Sequence, residues 1–568
     1  MGALWGTSRN QRWLAVFILA AAVFLPTLGN GLVWDDHSIL EQIGALDKPL
    51  QAFSEMYRIG SEQTPYYRPN VILTFLFGWR LFGANPVGYH ALNIVLHALV
   101  SGVVFLIGWK LLPPLPAMLA AAIFAVHPVH VEPVSFISSG PNDLLSALLF
   151  LSGVLVLLPK RDTSASGETS EGPRLWLAAG FYFLACLTKE ATLLLPALLP
   201  IIFWSRPGAT ISRQLGRVNA IVLPFVVALA GYAVLRWHAV LQNGPAANQE
   251  FVHASLGQQL AVVSQVFRLL FFPYKIVPFY DLWTVSRLEA GIGALWLALF
   301  GCAVFALGRT RRWDLPCRLG LALFIVTLVP ALPVFPRAGA LIAERFLYLP
   351  SAGFAILAGC AVDLLWRVGG KAVVRKAALG SLCVLLLLMS GWSAARSRDW
   401  RDDVTLFSRG LERDPQNSGL YYLLGTEFFF NGKYAEAEFN LRRSIEFHPN
   451  FASALFKLGE LYRSTGRADA ASVMYRSILE RNPRNAKAHF GLGSVEMDHG
   501  SLEHAEQELT TAVKLDPSYV LASINLGVLY FRKGNFAAAE ESWTRGLKND
   551  PANATLLNNL AQLPGSPR

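Results

Sequence analysis

Apolar residues come in blocks of span length as far as Trp392 and then stop. A run of roughly 20 such residues is what an α-helix needs to cross the hydrocarbon core of a bilayer. The pattern predicts about eleven spans, over 13–29, 88–109, 116–134, 142–158, 175–187, 190–205, 219–237, 290–307, 319–336, 346–366 and 377–393. From there to Arg568 the chain is polar, of mixed charge and helical in period. Two domains are therefore expected, a polytopic membrane part over 1–393 and a water-facing part over 394–568. The first run, Arg9 to Gly29, lacks a convincing small-residue cleavage site and acids follow it at once, so it reads as a span that stays rather than a signal peptide.

The polar part carries a second, longer period. Pro415, Pro449, Pro483, Pro517 and Pro551 stand 34 residues apart. Gly425, Gly459, Gly493 and Gly527 keep the same step, as do Gly432, Gly466, Gly500 and Gly534, and Ala437, Ala471, Ala505 and Ala539. A 34-residue helix–turn–helix unit is the tetratricopeptide (TPR) repeat. A small residue lets two helices cross closely, a glycine makes the turn, and proline ends the pair. Four full repeats are expected over 418–553, with a lone helix over 400–413 before them and a capping half-repeat after. Fold class is thus all-α: a multi-pass transmembrane helical domain followed by an α-solenoid. Such solenoids bind peptides along a concave face. Tyr422, Phe456, Phe490 and Glu460 are the candidates to line it, or else they pack neighbouring helices together.

Composition agrees with the membrane reading: 53% of residues are hydrophobic, 15% are charged, and mean hydropathy is +0.39. The net charge of +10 does not imply nucleic acid. Seventeen Lys and Arg fall in six short segments, the one before the first span and five between spans, every second segment along the chain. That asymmetry places these segments inside and the repeats outside. None of the five cysteines lies in the repeats, so no disulfide framework is expected there.

The outer span ends collect the unusual polar groups. Asp35 and Asp36 follow the first span, and Arg68 sits in Tyr66-Tyr67-Arg68-Pro69. His127, His130 and Glu132 occupy the turn HPVHVEP, and Asp143 begins the next span. Lys189 and Glu190 end another, and Arg337, Glu344 and Arg345 lie in a later loop, while Arg236, Trp237 and His238 open a second long loop. Charges at membrane depth cost about 2.5–3.5 kcal/mol at a helix centre, so their clustering on one face marks a functional site. Adjacent acids suit a general base, since mutual repulsion raises one pKa. They equally suit a divalent cation, Mg or Mn, which prefers oxygen ligands. The spacing His127-x-x-His130-x-Glu132 resembles a metal-ligand set, but Pro128 and Pro133 interrupt the helix it would need. Glu344 and Arg345 read equally well as an ion pair between helices.

The early WDD, then YRP, Tyr89-His90 with Asn93 and His97, HPVHVEPV, LTKE and AERFLYLPS, followed by TPRs, resemble the transmembrane-and-TPR-containing O-mannosyltransferases over almost the whole chain. That resemblance implies a GT-C glycosyltransferase. The donor would be a polyprenyl-phosphate sugar, mannose above all, and the acceptor Ser or Thr of a polypeptide held by the repeats. It puts catalysis on Asp35 and Asp36 and places Lys189, Glu190, Glu344 and Arg345 in the family's outer polar motifs; from their charge, Lys189, Arg345, Arg68 and Arg337 are expected to contact the donor phosphate. His127, His130, Glu132, Asp143, Glu190 and Glu344 support them, with Glu190 and Glu344 expected to hold Lys189 and Arg345. One departure stands out: the family often has Arg where this chain has Pro141, in Gly140-Pro141-Asn142-Asp143. Arg337 is expected to substitute, or the donor chemistry to change. A non-catalytic membrane scaffold that recruits partners through its repeats is the alternative. The ending GSPR carries no retention signal, which points to a bacterial cytoplasmic membrane with outward repeats, or to lumenal repeats in an ER membrane.

Overall fold

Lipid offers no partners for backbone N–H and C=O groups, so the apolar runs must satisfy them internally as helices. The computed structural model describes residues 8–564 apart from 45, 47–48, 54–57, 60–61, 64–65, 160–170, 204–210, 244–253, 283–284, 310–313, 335–340, 369–371 and 551–552. Among the described residues seven helices are long and apolar enough to cross a membrane: Arg9–Gly29, Pro86–Leu111, Gly140–Leu157, Val218–Leu241, Arg287–Phe305, Glu344–Val368 and Ala372–Arg401. Each coincides with one of the eleven expected spans. The expected span 116–134 is a pair, Pro114–Val126 and Pro128–Ser135, bent by 48°, and Pro128 at the break has no N–H to continue the ladder. The remaining three expected spans are shorter helices, Glu171–Cys186, Glu190–Phe203 and Leu315–Ala331.

The chain divides into two compact units, one running to Arg409 and the other from Gly410. In the first, Pro86–Leu111 is the central helix; it packs against Arg9–Phe24, Pro114–Val126 and Leu145–Leu157. Two thirds of its apolar window is buried by these neighbours (67%), whereas the window of Ala372–Arg401 buries none (0%) and is left for lipid.

Among the described residues, the segment after the first span holds regular elements. The stretch 30–87 contains the helices Asp35–Gly44 and Pro69–Phe82 and a two-residue antiparallel ladder, Arg58–Ile59 with Glu62–Gln63. Ile39, Leu40 and Ile43 pack there on Val71, Ile72 and Phe75. Arg236, Trp237 and His238 do not open a loop; the helix Ile211–Asn243 runs through them, and Arg236 donates to the Tyr232 hydroxyl at 3.3 Å.

In the second unit helices alternate as the period requires, Ser418–Phe430 with Tyr434–Phe447 through Val520–Arg532 with Phe536–Asn549, then Ala554–Ala561. The turn glycines all have positive φ, +70° at Gly432 and +75° to +76° at Gly466, Gly500 and Gly534, where a side chain would be strained. The crossing glycines are as tightly set: a Cβ at Gly527 would lie 2.2 Å from Trp543 Nε1. Ala437, Ala471, Ala505 and Ala539 are wholly buried.

A candidate active site at the ends of the spans

Four connections between spans, far apart in the chain, bring their charged groups together. The helix Asp35–Gly44 begins with the acid pair, and its two acids are held differently. Asp36 is buried, and its oxygens accept the Ser138 N–H at 2.8 Å and the Val33 N–H at 3.3 Å. Burial pushes its carboxyl up to about 8, against the pull of those donors. Asp36 therefore ties the acid helix to the turn that follows HPVHVEP. Asp35 is half-buried, and its side chain makes no hydrogen bond or ion pair with any described residue. Burial raises its pKa, Arg345 nearby lowers it, and Asp403 raises it.

Three cations stand in the same region, each paired with an acid. Arg68 donates through Nε (3.1 Å) and Nη2 (2.8 Å) to Glu190 Oε2, and through Nη1 to Asn142 Oδ1 at 3.0 Å. Lys189 is paired with Asp143, whose other oxygen accepts the Ser139 hydroxyl at 2.7 Å. Arg345 is paired with Glu132, and its backbone N–H also reaches that carboxylate, at 3.1 Å. The centre of the Phe346 ring lies 5.8 Å from Lys189 Nζ and 5.3 Å from the Arg345 guanidinium carbon, so the two cations share one aromatic neighbour. All three reach the surface in part, Arg345 most, with a quarter of its side chain exposed (25%). Burial lowers the Lys189 pKa, and Asp143 opposes that.

These pairings correct the expected ones. Glu190 holds Arg68 rather than Lys189. Glu344 does not pair with its neighbour Arg345; it lies in a fully buried pair with Arg396, bonded at 2.6 and 2.7 Å, and accepts the Tyr280 hydroxyl at 3.4 Å. His127, His130 and Glu132 are buried together yet point to different partners: His127 Nε2 to the Leu270 carbonyl at 3.0 Å, His130 Nε2 to the Ser351 hydroxyl at 2.8 Å, and Glu132 to Arg345. Among the described residues no three His, Cys, Asp or Glu side chains are grouped to hold a metal ion. Arg337 lies outside the described residues.

Where the motif departs at Pro141, the chain forms one turn of π-helix, Gly140–Leu144, and it is Arg68 that reaches Asn142 there. Gly140 admits no side chain, since a Cβ would stand 1.7 Å from Asn93 Oδ1. Asn93 in turn donates to the Val134 and Phe136 carbonyls at 3.3 and 3.2 Å. Gly140→Ala is expected to destabilise the membrane unit by about 1–3 kcal/mol through overpacking, read as a lower melting temperature in detergent; an unchanged melt would show that Asn93 can move aside.

Sequence reading missed Asn93, Ser138, Asn142, Arg396 and Asp403. Asn93 and Asn142 carried a signal, since they lie in the Tyr89–His97 and Gly140–Asp143 motifs. In the former, His90 meets the Gly31 carbonyl at 3.2 Å and His97 the Tyr348 hydroxyl at 2.8 Å, so that motif braces the site's connections.

In the repeats, the candidate lining residues are partly spent on packing. Tyr422 faces Phe451 (5.1 Å between ring centres), Phe456 faces Tyr475 (5.5 Å) and Phe490 faces Tyr519 (5.1 Å). Phe490 is buried, while Tyr422 and Phe456 are half-buried. Glu460 pairs with Lys457 at 2.7 Å.

Together these features define a polytopic, all-helical membrane protein with a polar site at its span ends and a C-terminal tetratricopeptide solenoid. The tetratricopeptide repeat family model matches residues 422–472, 465–520 and 524–563. The resemblance to TMTC-type O-mannosyltransferases is borne out across most of the chain. It is 28% identical to protein O-mannosyl-transferase F38B6.6 of Caenorhabditis elegans over 465 residues, 78% of this chain and 63% of that one. It is likewise 28% identical to protein O-mannosyl-transferase TMTC4 of Homo sapiens, over 65% of this chain and 56% of that one. With protein O-mannosyl-transferase Tmtc1 of Drosophila melanogaster it shares 25% identity, over 75% and 60%. The chain thus spans less than two thirds of the length of these relatives. Solved structures align with a minor share of it: MamA of Desulfovibrio magneticus RS-1 (19% identity, 27% of this chain and 85% of that one, TM-score 0.24) and a thermophilic TPR protein of Thermus thermophilus (24%, 30% and 91%, TM-score 0.26).

Proposed function

We propose that this chain is a membrane glycosyltransferase of the GT-C type that moves a mannosyl unit from a polyprenyl-phosphate donor to a Ser or Thr hydroxyl of a polypeptide. The observation that carries the reading is Asp35: a half-buried carboxylate bonded to no described residue, beside Arg345, in a region that also holds Lys189 and Arg68. Asp35 takes the proton of the acceptor hydroxyl as its oxygen attacks the anomeric carbon. The bond from that carbon to the phosphate oxygen breaks, and its electron pair leaves with the polyprenyl phosphate. Arg345, Lys189 and Arg68 oppose the charge that develops on the leaving phosphate. Glu132, Asp143 and Glu190 hold these cations in place meanwhile, which keeps the region close to neutral without donor. No step in this scheme is routed through a divalent ion.

The names of the relatives support mannose and a protein acceptor. Along the sequence the basic segments alternate with the segment that holds Asp35, which supports action on the extracytoplasmic face, in a bacterial cytoplasmic membrane, with outward repeats gripping the acceptor. The test is transfer of labelled mannose from polyprenyl-phosphate mannose to membrane and secreted proteins. Membranes with the chain are expected to incorporate label and membranes without it to incorporate none. Arg345→Gln is expected to lower transfer ~10²-fold, as loss of one preorganised charge-stabilising donor does. Incorporation that ignores the presence of the chain would overturn the reading.

A further inference from the structure

The backbone just before Asp35 is held in an unusual state by a residue 369 positions away. Trp34 has φ of +54°, a left-handed conformation that a bulky residue seldom adopts. Its N–H donates to Asp403 Oδ1 at 2.7 Å, and Asp403 Oδ2 meets His37 Nε2 at 3.1 Å. Asp403 opens the helix Asp403–Arg413 but does not serve that helix's first turn. The neighbouring Asp402 does so, accepting the Thr405 N–H at 2.8 Å. The Asp403 carboxylate, nearly buried, is instead turned toward the acid helix from both of its oxygens. The same segment grips the acid loop at further points. The Asn30 side chain donates to the Ser397 carbonyl at 2.8 Å, the Gly31 N–H to the Arg401 carbonyl at 2.9 Å, and the Trp34 ring packs on Phe407 at 5.9 Å.

We propose that Asp403 is a positioning residue for Asp35, keeping Trp34 left-handed so that the carboxylate after it faces Arg345. The proposal rests on the glycosyltransferase reading. A strained residue persists only where its surroundings over-determine it. Without an acceptor for its N–H, Trp34 relaxes to an extended conformation and swings the start of the acid helix. A misplacement of about 1 Å at a reacting group can cost ~10²-fold in rate.

The test compares the full chain with Asp403→Ala and Asp403→Asn in lipid nanodiscs, by two readouts. In hydrogen exchange, Asp403→Ala is expected to speed exchange over 30–44 and leave the repeats unchanged. In mannose transfer it is expected to lower kcat about 10²-fold, with the donor KM unchanged. Asp403→Asn keeps an oxygen for the Trp34 N–H and is expected to restore most of both. Wild-type exchange over 30–44 in Asp403→Ala, wild-type kcat in that variant, faster exchange throughout the unit, or no rescue by Asn would each overturn the proposal. If the wild type transfers no sugar while exchange over 30–44 responds as expected, the glycosyltransferase reading falls and the clamp stands.

Discussion

Asp35→Asn is expected to abolish transfer and leave the protein folded, whereas Asp36→Asn is expected to release the acid helix from its support. The contrast follows from what each carboxylate touches. The Asp35 carboxylate is bonded to no described residue, so its amide replacement removes a base and nothing structural. Loss of a positioned general base costs about 10²–10⁴-fold in rate. Asp36 accepts two backbone N–H groups on its two oxygens. An Asn there can offer one oxygen and must set its NH₂ against the other donor. A buried donor left without a partner costs about 1–3 kcal/mol. Transfer assays beside thermal melts of the two variants separate the roles; equal melts and equal activities would mean the base has been assigned to the wrong acid.

The same geometry gives the pH dependence. The charged groups acting on Asp35 are Arg345, which lowers its pKa, and Asp403, which raises it, with Asp36 adjacent; burial outweighs the attraction and the net direction is upward. A base works only when deprotonated, so the acid limb of the rate profile lies above the ordinary aspartate value of ~3.9. Removing the Asp403 charge with Asn lowers the Asp35 pKa and moves that limb to lower pH. A limb at or below ~3.9 in the wild type would contradict the placement of Asp35.

Arg396→Ala is expected to produce the largest loss of stability in the membrane unit, about 3–5 kcal/mol, because it strands a charge away from solvent. Glu344 and Arg396 are both buried, exposed by 0% and 3%, and no other cation is bonded to Glu344 among the described residues. The pair is costly to break and not obviously stabilising to possess, since two ions were desolvated to make it. The double variant Glu344→Leu with Arg396→Met is therefore expected to melt closer to the wild type than either single variant does. Because Glu344 precedes Arg345, the single variants also displace a proposed phosphate-binding cation, and transfer falls with stability. A double variant as unstable as Arg396→Ala would show that the pair contributes more than mutual compensation.

The family-like motifs supplied charges that the structure brings together, but not the bonds between them. LTKE supplied Lys189 and Glu190, and the structure gives them to two different partners, Asp143 and Arg68. AERF supplied Glu344 and Arg345, and these too diverge, to Arg396 and Glu132. Adjacent residues at a helix start point in different directions, so adjacency in a motif does not imply a shared role. Asp403 and Arg396 carried no signal at all. Each follows or ends the last apolar run, where charged residues are ordinary, and only their distant partners make them unusual.

By itself, the sequence determined the apolar helices and the repeats. Both are local properties: an apolar run must be helical in lipid, and a 34-residue period of Gly, Ala and Pro specifies one helix pair after another. Tertiary structure alone decided which charges meet. Ser138 reaches Asp36 across 102 positions, Arg345 reaches Glu132 across 213, and Asp403 reaches Trp34 across 369. Such pairings depend on how separate helices pack and end against one another, and no window of sequence contains both partners. That packing is what leaves one acid of an identical adjacent pair bound by the backbone and the carboxylate of the other bonded to no described residue.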